Sequence, residues 1–261
     1  MLCVSDRPNQ MQAFDTLILY WIKGQNNGRR REAMEPNILY EDKEIIVCEK
    51  KPGMPVQSDR TLDMDLVNQL KNYLHQKEEG KQVYLGLVHR LDRPVGGVMV
   101  FGKTPEATKE LSRQIQEKQM GKKYFCIVTK DLKEDIGKAP VLLTDYLKKD
   151  GRNNTSVVVS EKEKQGKCAK LSYTVKKVVG NCSMVEVELF TGRHHQIRVQ
   201  MKTHVAGILG DTKYNPNQAG LGRHRGIALY SHMLSFAHPK TKERMEFHLN
   251  PTGEMWKPFF E

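Results

Sequence analysis

Residues 88–104, VHRLDRPVGGVMVFGKT, constrain the fold more than any other stretch. A polar, arginine-rich segment passes into four bulky, β-prone residues, Val98-Met99-Val100-Phe101, set between Gly97 and Gly102. A short apolar run bounded in this way reads as a buried strand. Thr104-Pro105 then opens a helix, because threonine can cap it and proline suits the first helical position. Ala107, Leu111 and Ile115 line its buried face, and Gly121 is placed to end it. The letters Gly97 to Thr104 also match the phosphate-loop pattern G-x-x-x-x-G-K-[ST]. That motif needs a loop whose N–H groups converge on an anion. Val-Met-Val-Phe is a strand instead, and the polar His89–Pro94 leaves no hydrophobic strand before it. The glycines therefore argue for close strand packing, and a P-loop nucleotide triphosphatase is the weakest reading.

The same grammar continues along the chain. Ile38-Leu39-Tyr40 and Ile45-Ile46-Val47 are β-rich runs around a charged turn, closed by Lys51-Pro52-Gly53. Leu62, Leu66, Leu70 and Leu74 recur every four residues, which predicts a helix over 62–77. Lys123–Thr129 alternates as a strand. Residues 150–168 suit a peripheral hairpin, and 172–178 with 182–190 form another around Gly180-Asn181. Residues 195–206 suit a helix and 226–236 a strand. Strands with interspersed helices predict an α+β fold around an antiparallel or mixed sheet. The compact part spans 37–261. Residues 1–36 read as an extension, a flexible arm or a short helix plus the basic linker Arg29–Arg31.

A net charge of +11 on 261 residues predicts a polyanionic partner, nucleic acid before acidic membrane. The apolar run Phe14–Ile22 is far too short to span a bilayer. Five widely spaced cysteines with no Cys-x-x-Cys pair argue against a disulfide framework or zinc ribbon and fit a reducing cytoplasm. His194, His195 and His204 lack nearby cysteines or carboxylates in sequence, so no metal is expected. Two basic segments stand out. The first sets Asp92 among His89, Arg90 and Arg93. The second, TGRHHQIRVQMKTH at 191–204, brings Arg193 and Arg198. A carboxylate among arginines stays ionised. It is either a structural ion pair or a nucleophile or base aimed at a polyanion.

Three motifs in order carry a resemblance: His89-Arg90-Leu91-Asp92, Lys122-Lys123-Tyr124, and Thr191-Gly192-Arg193-His194-His195-Gln196-Ile197-Arg198. Lys51-Pro52-Gly53 after the first strand pair, Leu209-Gly210-Asp211 with Lys213-Tyr214, and Leu234–Pro239 follow the same pattern. The chain resembles the RluA-type RNA pseudouridine synthases over about residues 37–250. Two positions depart from the family pattern: Val95-Gly96-Gly97 where Thr-Ser-Gly is usual, and Leu229-Tyr230-Ser231 where Leu-His-Ala is usual. The resemblance implies an α+β pseudouridine-synthase fold with a mixed, mostly antiparallel sheet and flanking helices. With few residues before Asn37, the family's S4-type RNA-binding module is expected to be absent, which leans toward the shorter, single-domain members.

The implied reaction detaches uracil from ribose C1′, rotates it and rejoins it through C5. It is an isomerisation and requires no cofactor. The base must leave its stack to be reached. By resemblance Asp92 is catalytic; attack on C1′, attack on C6 and removal of a ribose proton all stay open. Arg198 is implied as its salt-bridge partner, and Tyr124 as the group that stacks on the flipped ring. Arg90, His89, Arg193, His195, Gln196 and Lys123 are expected to bind the substrate. The partner is RNA, ribosomal or transfer; no membrane or obligate protein partner is implied, and a monomer is expected. A protein of this fold that binds RNA without catalysis is the rival reading.

Overall fold

The computed structural model describes residues 35–58, 64–77, 82–216 and 226–261. The expectations for Leu62 and the arm through Arg31 lie outside these residues. From Asn37 onward the chain forms one unit. In chain order its elements are β1 (Asn37–Glu41), β2 (Ile45–Lys50), α1 (Leu66–Lys77), β3 (Gly86–Leu87), β4 (Gly96–Gly102), α2 (Pro105–Gln116), β5 (Gly121–Val128) and β6 (Val141–Asp150). There follow β7 (Thr155–Val159), β8 (Lys167–Val179), β9 (Cys182–Leu189), α3 (Gln196–His204), β10 (Leu229–Ala237), β11 (Arg244–His248) and α4 (Lys257–Phe260). Among the described residues the strands make one sheet in the order β1-β2-β4-β10-β5-β9-β8-β6-β7, with β11 on β10 and β3 on β4. The β4–β10 pair is parallel, while the pairs flanking it, β2–β4 and β5–β10, are antiparallel. The architecture is α+β.

Residues 45–48 of β2 and 98–101 of β4 are apolar at every position, because alternate side chains enter cores on the two sides of the sheet. Ile46, Cys48, Met99 and Phe101 face one side, where Leu66, Leu70 and Leu74 of α1 pack. Ile45, Val47, Val98 and Val100 face the other, against Ala107 and Leu111 of α2. A strand covered on both faces has no polar side to show. The Val98–Phe101 run is thus a fully buried strand in the heart of the sheet, and the phosphate-loop reading fails there. The two residues that motif would aim at a nucleotide are engaged within the protein. Lys103 Nζ donates to Glu41 Oε1 at 2.8 Å and the Thr104 hydroxyl to Glu44 Oε2 at 3.0 Å. Thr104 also caps α2 by accepting from the Ala107 N–H at 3.1 Å.

Several boundaries differ from the sequence-based expectation. Helix α2 stops at Gln116, before Gly121, because Lys118 turns left-handed at φ 58°. Gly121 instead begins β5, where a Cβ would sit 2.4 Å from Ser235 Oγ. Strand β8 starts at Lys167, several residues earlier than its apolar pattern suggests, since its first residues pair with β6 at the exposed end of the sheet.

Gly97 is where the parallel pair closes. Its φ is +127°, and a Cβ there would lie 2.2 Å from the Ser231 carbonyl oxygen. Gly97→Ala should therefore lower the unfolding free energy by at least about 3 kcal/mol, since strain and backbone overlap add. Urea denaturation measures this, and a wild-type midpoint would contradict the packing described.

Candidate active site

Asp92 sits on the loop between β3 and β4, and that loop is held from below by a buried lysine. Lys50, the last residue of β2, has no exposed surface. Its ammonium donates to three carbonyls: Met54 at 2.6 Å, Arg93 at 3.0 Å and Lys51 at 3.2 Å. Three N–H groups meet three acceptors, so the charge is fully solvated by backbone. The same contact is reinforced by Gly53 N–H to Arg93 O at 2.9 Å and by Arg93 Nε to Gly53 O at 3.1 Å. Burial lowers the Lys50 pKa to about 7 against the opposing pull of Asp92, with Arg93 adding to the fall.

The second basic motif forms the facing wall. His195 takes a left-handed backbone at φ 53° and is the residue from which α3 springs. Arg198, on the first turn of that helix, is 4% exposed. Its Nε and Nη2 grip Asp211 at 2.8 and 2.7 Å, a planar two-pronged pairing that only a guanidinium makes. Its remaining Nη1 lies 3.6 Å from Asp92 Oδ2. The expected Asp92–Arg198 contact is thus present at longer range, while the close partner is Asp211. Asp211 Oδ1 also accepts the Lys213 and Tyr214 N–H groups at 3.0 and 3.1 Å.

A hydrogen-bonded chain runs toward Asp92 from the side. The Ser156 N–H donates to the Tyr214 hydroxyl at 2.7 Å, and that hydroxyl lies 2.9 Å from His195 Nδ1. With Nδ1 accepting, Nε2 carries the proton and faces Asp92 Oδ2 at 3.5 Å. Burial, then the Arg198 charge, lowers the His195 pKa to about 3. The ring beside Asp92 is therefore a neutral imidazole, so the contact is not an ion pair. Arg198 itself lies over the Tyr214 ring, 5.1 Å from its centroid.

These groups border a cleft of about 420 Å³, within the range of small-molecule sites. Asp92, 32% exposed at its side chain, opens into it. Tyr124 lines it from β5 at 6% exposure. Burial, helped by the Asp92 charge and opposed by the Ser231 hydroxyl, pushes the Tyr124 phenol up to about 12. Tyr124 is therefore a neutral ring with an O–H to donate.

Alternation along β5 corrects one expectation. Lys122 shares the face of Tyr124 and borders the cleft, while Lys123 points to the other side of the sheet. Burial lowers the Lys122 pKa. Gln196 is corrected too. Its Oε1 accepts from the Thr191 hydroxyl and the Arg193 N–H at 2.8 and 3.0 Å, and its Nε2 donates to Lys170 O and Gln200 Oε1 at 3.1 and 3.0 Å. The amide is spent on holding the loop, with nothing left for a substrate. His89 borders the cleft, but its Nε2 accepts the Val100 N–H at 3.2 Å, and burial lowers its pKa to about 3. Only its other ring nitrogen is free of that bond. Arg193 and Arg90 are exposed on the rim, and Arg193 Nε is anchored on Cys168 O at 2.9 Å. Lys50, Lys122, Asp211 and Tyr214 had no site role in the sequence reading. The parity of Lys122 with Tyr124 and the Gly-Asp-x-x-Tyr segment were the signals available for three of them.

Asp211→Asn should cost about 3–5 kcal/mol of stability in urea denaturation, because it leaves a buried guanidinium without its counter-charge. A loss below about 1 kcal/mol would mean that Asp92 can take over as the partner. Lys50 should also shape stability against pH. Its folded pKa is about 7 and its ordinary value 10.5. Between these values the unfolded chain holds a proton that the folded chain has released, so stability rises with pH across that window. The stability difference between wild type and Lys50→Met, measured across the window from the folded to the ordinary value, should move in favour of wild type as pH rises. A flat difference would show that Lys50 keeps its ammonium throughout.

A family model described as RNA pseudouridylate synthase matches residues 44–203. Over 220 residues the chain is 31% identical to Ribosomal large subunit pseudouridine synthase C of Haemophilus ducreyi, covering 81% of this chain and 64% of that one. Over 218 residues it is 32% identical to the uncharacterized RNA pseudouridine synthase YlyB of Bacillus subtilis, covering 83% and 69%. The chain therefore spans roughly two thirds of the length of these curated relatives. Among solved structures, Human RNA Pseudouridylate Synthase Domain Containing 4 superposes with a TM-score of 0.68 at 21% identity, over 84% of this chain and 90% of that one. Human RNA Pseudouridylate Synthase Domain Containing 1 does so with 0.67 at 18% identity, over 84% of each. These two share the fold; the family model and the sequence relatives show that the chain belongs to the RNA pseudouridylate synthase family, in its RluA-type branch.

Proposed function

We propose that this protein isomerises uridine to pseudouridine in structured RNA, with Asp92 as the reacting carboxylate. The observation that carries the reading is the position of Asp92. It opens into a cleft of nucleoside scale, with a neutral imidazole and one arginine nitrogen within 3.6 Å. During the reaction the N1–C1′ bond breaks, a C5–C1′ bond forms, N1 takes up a proton and C5 gives one up. Nothing is oxidised or reduced, and the mass of the nucleotide is unchanged.

The target uridine enters flipped out of its stack. Tyr124 supplies a ring face for the uracil, and its hydroxyl stays protonated as a donor. Arg90 and Arg193, on the rim, suit the backbone or the space left by the base. Arg198 and the His195 Nε2–H orient the Asp92 carboxylate, while Asp211 keeps the guanidinium from swinging onto it. The names of the relatives favour RNA of the large ribosomal subunit as the substrate.

Asp92→Asn should abolish turnover while keeping the fold and RNA affinity, since the swap is nearly isosteric but removes the charge. The assay is pseudouridine mapping in RNA from cells lacking the gene, complemented with either form. Wild-type modification by the asparagine variant would sink the catalytic role and favour an RNA-binding protein that has lost catalysis. An unmodified pattern identical with and without the gene would sink the activity itself.

A further inference from the structure

A second pocket of about 340 Å³ lies beside the cleft, where the β6–β7–β8 ends meet the loop at 192–194. Lys148, Lys149, Lys167, Arg193 and His194 line it, with Ser156 at its base. Gly192 and Arg193 border both pockets, so one short ridge separates them. Lys148 is paired with Glu163 at 3.1 Å. Among the described residues, Lys149, Lys167 and Arg193 have no carboxylate within ion-pair distance. Three cations around one hollow without a counter-charge repel one another, and an anion relieves that repulsion. Of these three, Lys149 is felt at His194, whose pKa is lowered by burial first and then by the Lys149 charge, with Lys213 and Arg198 outside the pocket adding to the fall and Asp92 opposing it.

The hollow is also preformed. Ser156 Oγ donates to His194 O at 2.8 Å and lies 3.0 Å from His194 Nδ1. Arg193 is anchored on Cys168 O. Lys213 Nζ donates to Asn154 O at 2.8 Å, tying the β6–β7 turn to the segment that carries Asp211. The wall of this pocket is therefore the same loop that presents His195 to Asp92.

We propose that this pocket binds a backbone phosphate of the RNA strand whose uridine occupies the cleft. The proposal rests on the reading of the cleft as the uridine site, and it makes Gly192-Arg193 a divider between base and backbone. A phosphodiester suits the hollow better than an acidic peptide. The strand that delivers a flipped base must continue past the rim, and across this ridge it meets unpaired cations. The lysines lie on the peripheral hairpin region, well apart in sequence from the motifs that hold Asp92.

The test uses a fluorescein-labelled RNA hairpin with uridines in its loop, bound to the intact protein at several salt concentrations. Lys149→Ala/Lys167→Ala should weaken binding about ten-fold or more at moderate salt. It should also reduce the slope of log affinity against log salt by about 0.7 for each phosphate that the protein no longer neutralises. Lys149→Arg/Lys167→Arg should restore both. Lys130→Ala/Lys133→Ala removes the same charge from positions outside the pocket and should change affinity far less. Equal losses in the two alanine pairs would reduce the effect to overall charge and overturn the proposal. So would unchanged RNA affinity in the pocket variant, and if that variant also lost binding to a polyglutamate probe, the pocket would belong to an acidic peptide. These are binding measurements, so they stand apart from the turnover assay with Asp92→Asn, which tests the reading of the cleft.

Discussion

Arg198 and Asp211 meet inside the protein with both side chains almost out of water, and much of the cleft is organised around that contact. A buried guanidinium without its carboxylate is costly, so the pairing holds α3 to the 209–214 turn. Once that turn is held, Tyr214 lies against the guanidinium and its hydroxyl orients His195. His195 in turn faces Asp92. The carboxylate that opens into the cleft is thus set by a second, hidden carboxylate that never reaches it. Asp211 occupies both of the arginine's best hydrogen-bonding edges and leaves Asp92 one distant nitrogen. Asp92 is held by charge yet stays open to the cleft.

The other side of the site depends on close backbone approach. Gly97 lets β4 and β10 run side by side, and the loop carrying Asp92 leads directly into that strand. Lys50 then ties the same loop to the turn after β2 through backbone carbonyls. A lysine in this position holds backbone, which leaves the side chains of the loop free to face the cleft. The site is assembled where the parallel strand pair, the β2 turn and the α3 loop converge.

Much of this could be read from residue order. The glycine-bracketed apolar run had to be a strand, because four bulky residues cannot form a phosphate cradle. Leu66, Leu70 and Leu74 had to share a helix face. Asp92 stood out as the one acid among basic side chains within a recognisable motif. Lys123 was misread for a simple reason. Alternation says that Lys122 and Lys123 point to opposite faces, but which face is the cleft depends on where β9 and β10 dock. Gln196 looked like a substrate ligand because polar residues in a motif suggest recognition, and only its four protein partners reveal that its amide is spent.

The sequence by itself determined the strand and helix pattern, the α+β class, the identity of the exposed candidate carboxylate and the family. These follow from local periodicity, turn chemistry and the order of motifs, which need no knowledge of distant contacts. The tertiary structure decided which carboxylate takes the arginine's fork, which lysine lines the cleft and which lysine disappears beneath it. Each of those choices is a hydrogen bond between segments far apart in the chain: Arg198 to Asp211 across 13 residues, Lys50 to Arg93 across 43, Ser156 to Tyr214 across 58. Such bonds are specified by geometry after the sheet has closed, because several side chains of the same chemical type compete for each partner and only position selects among them.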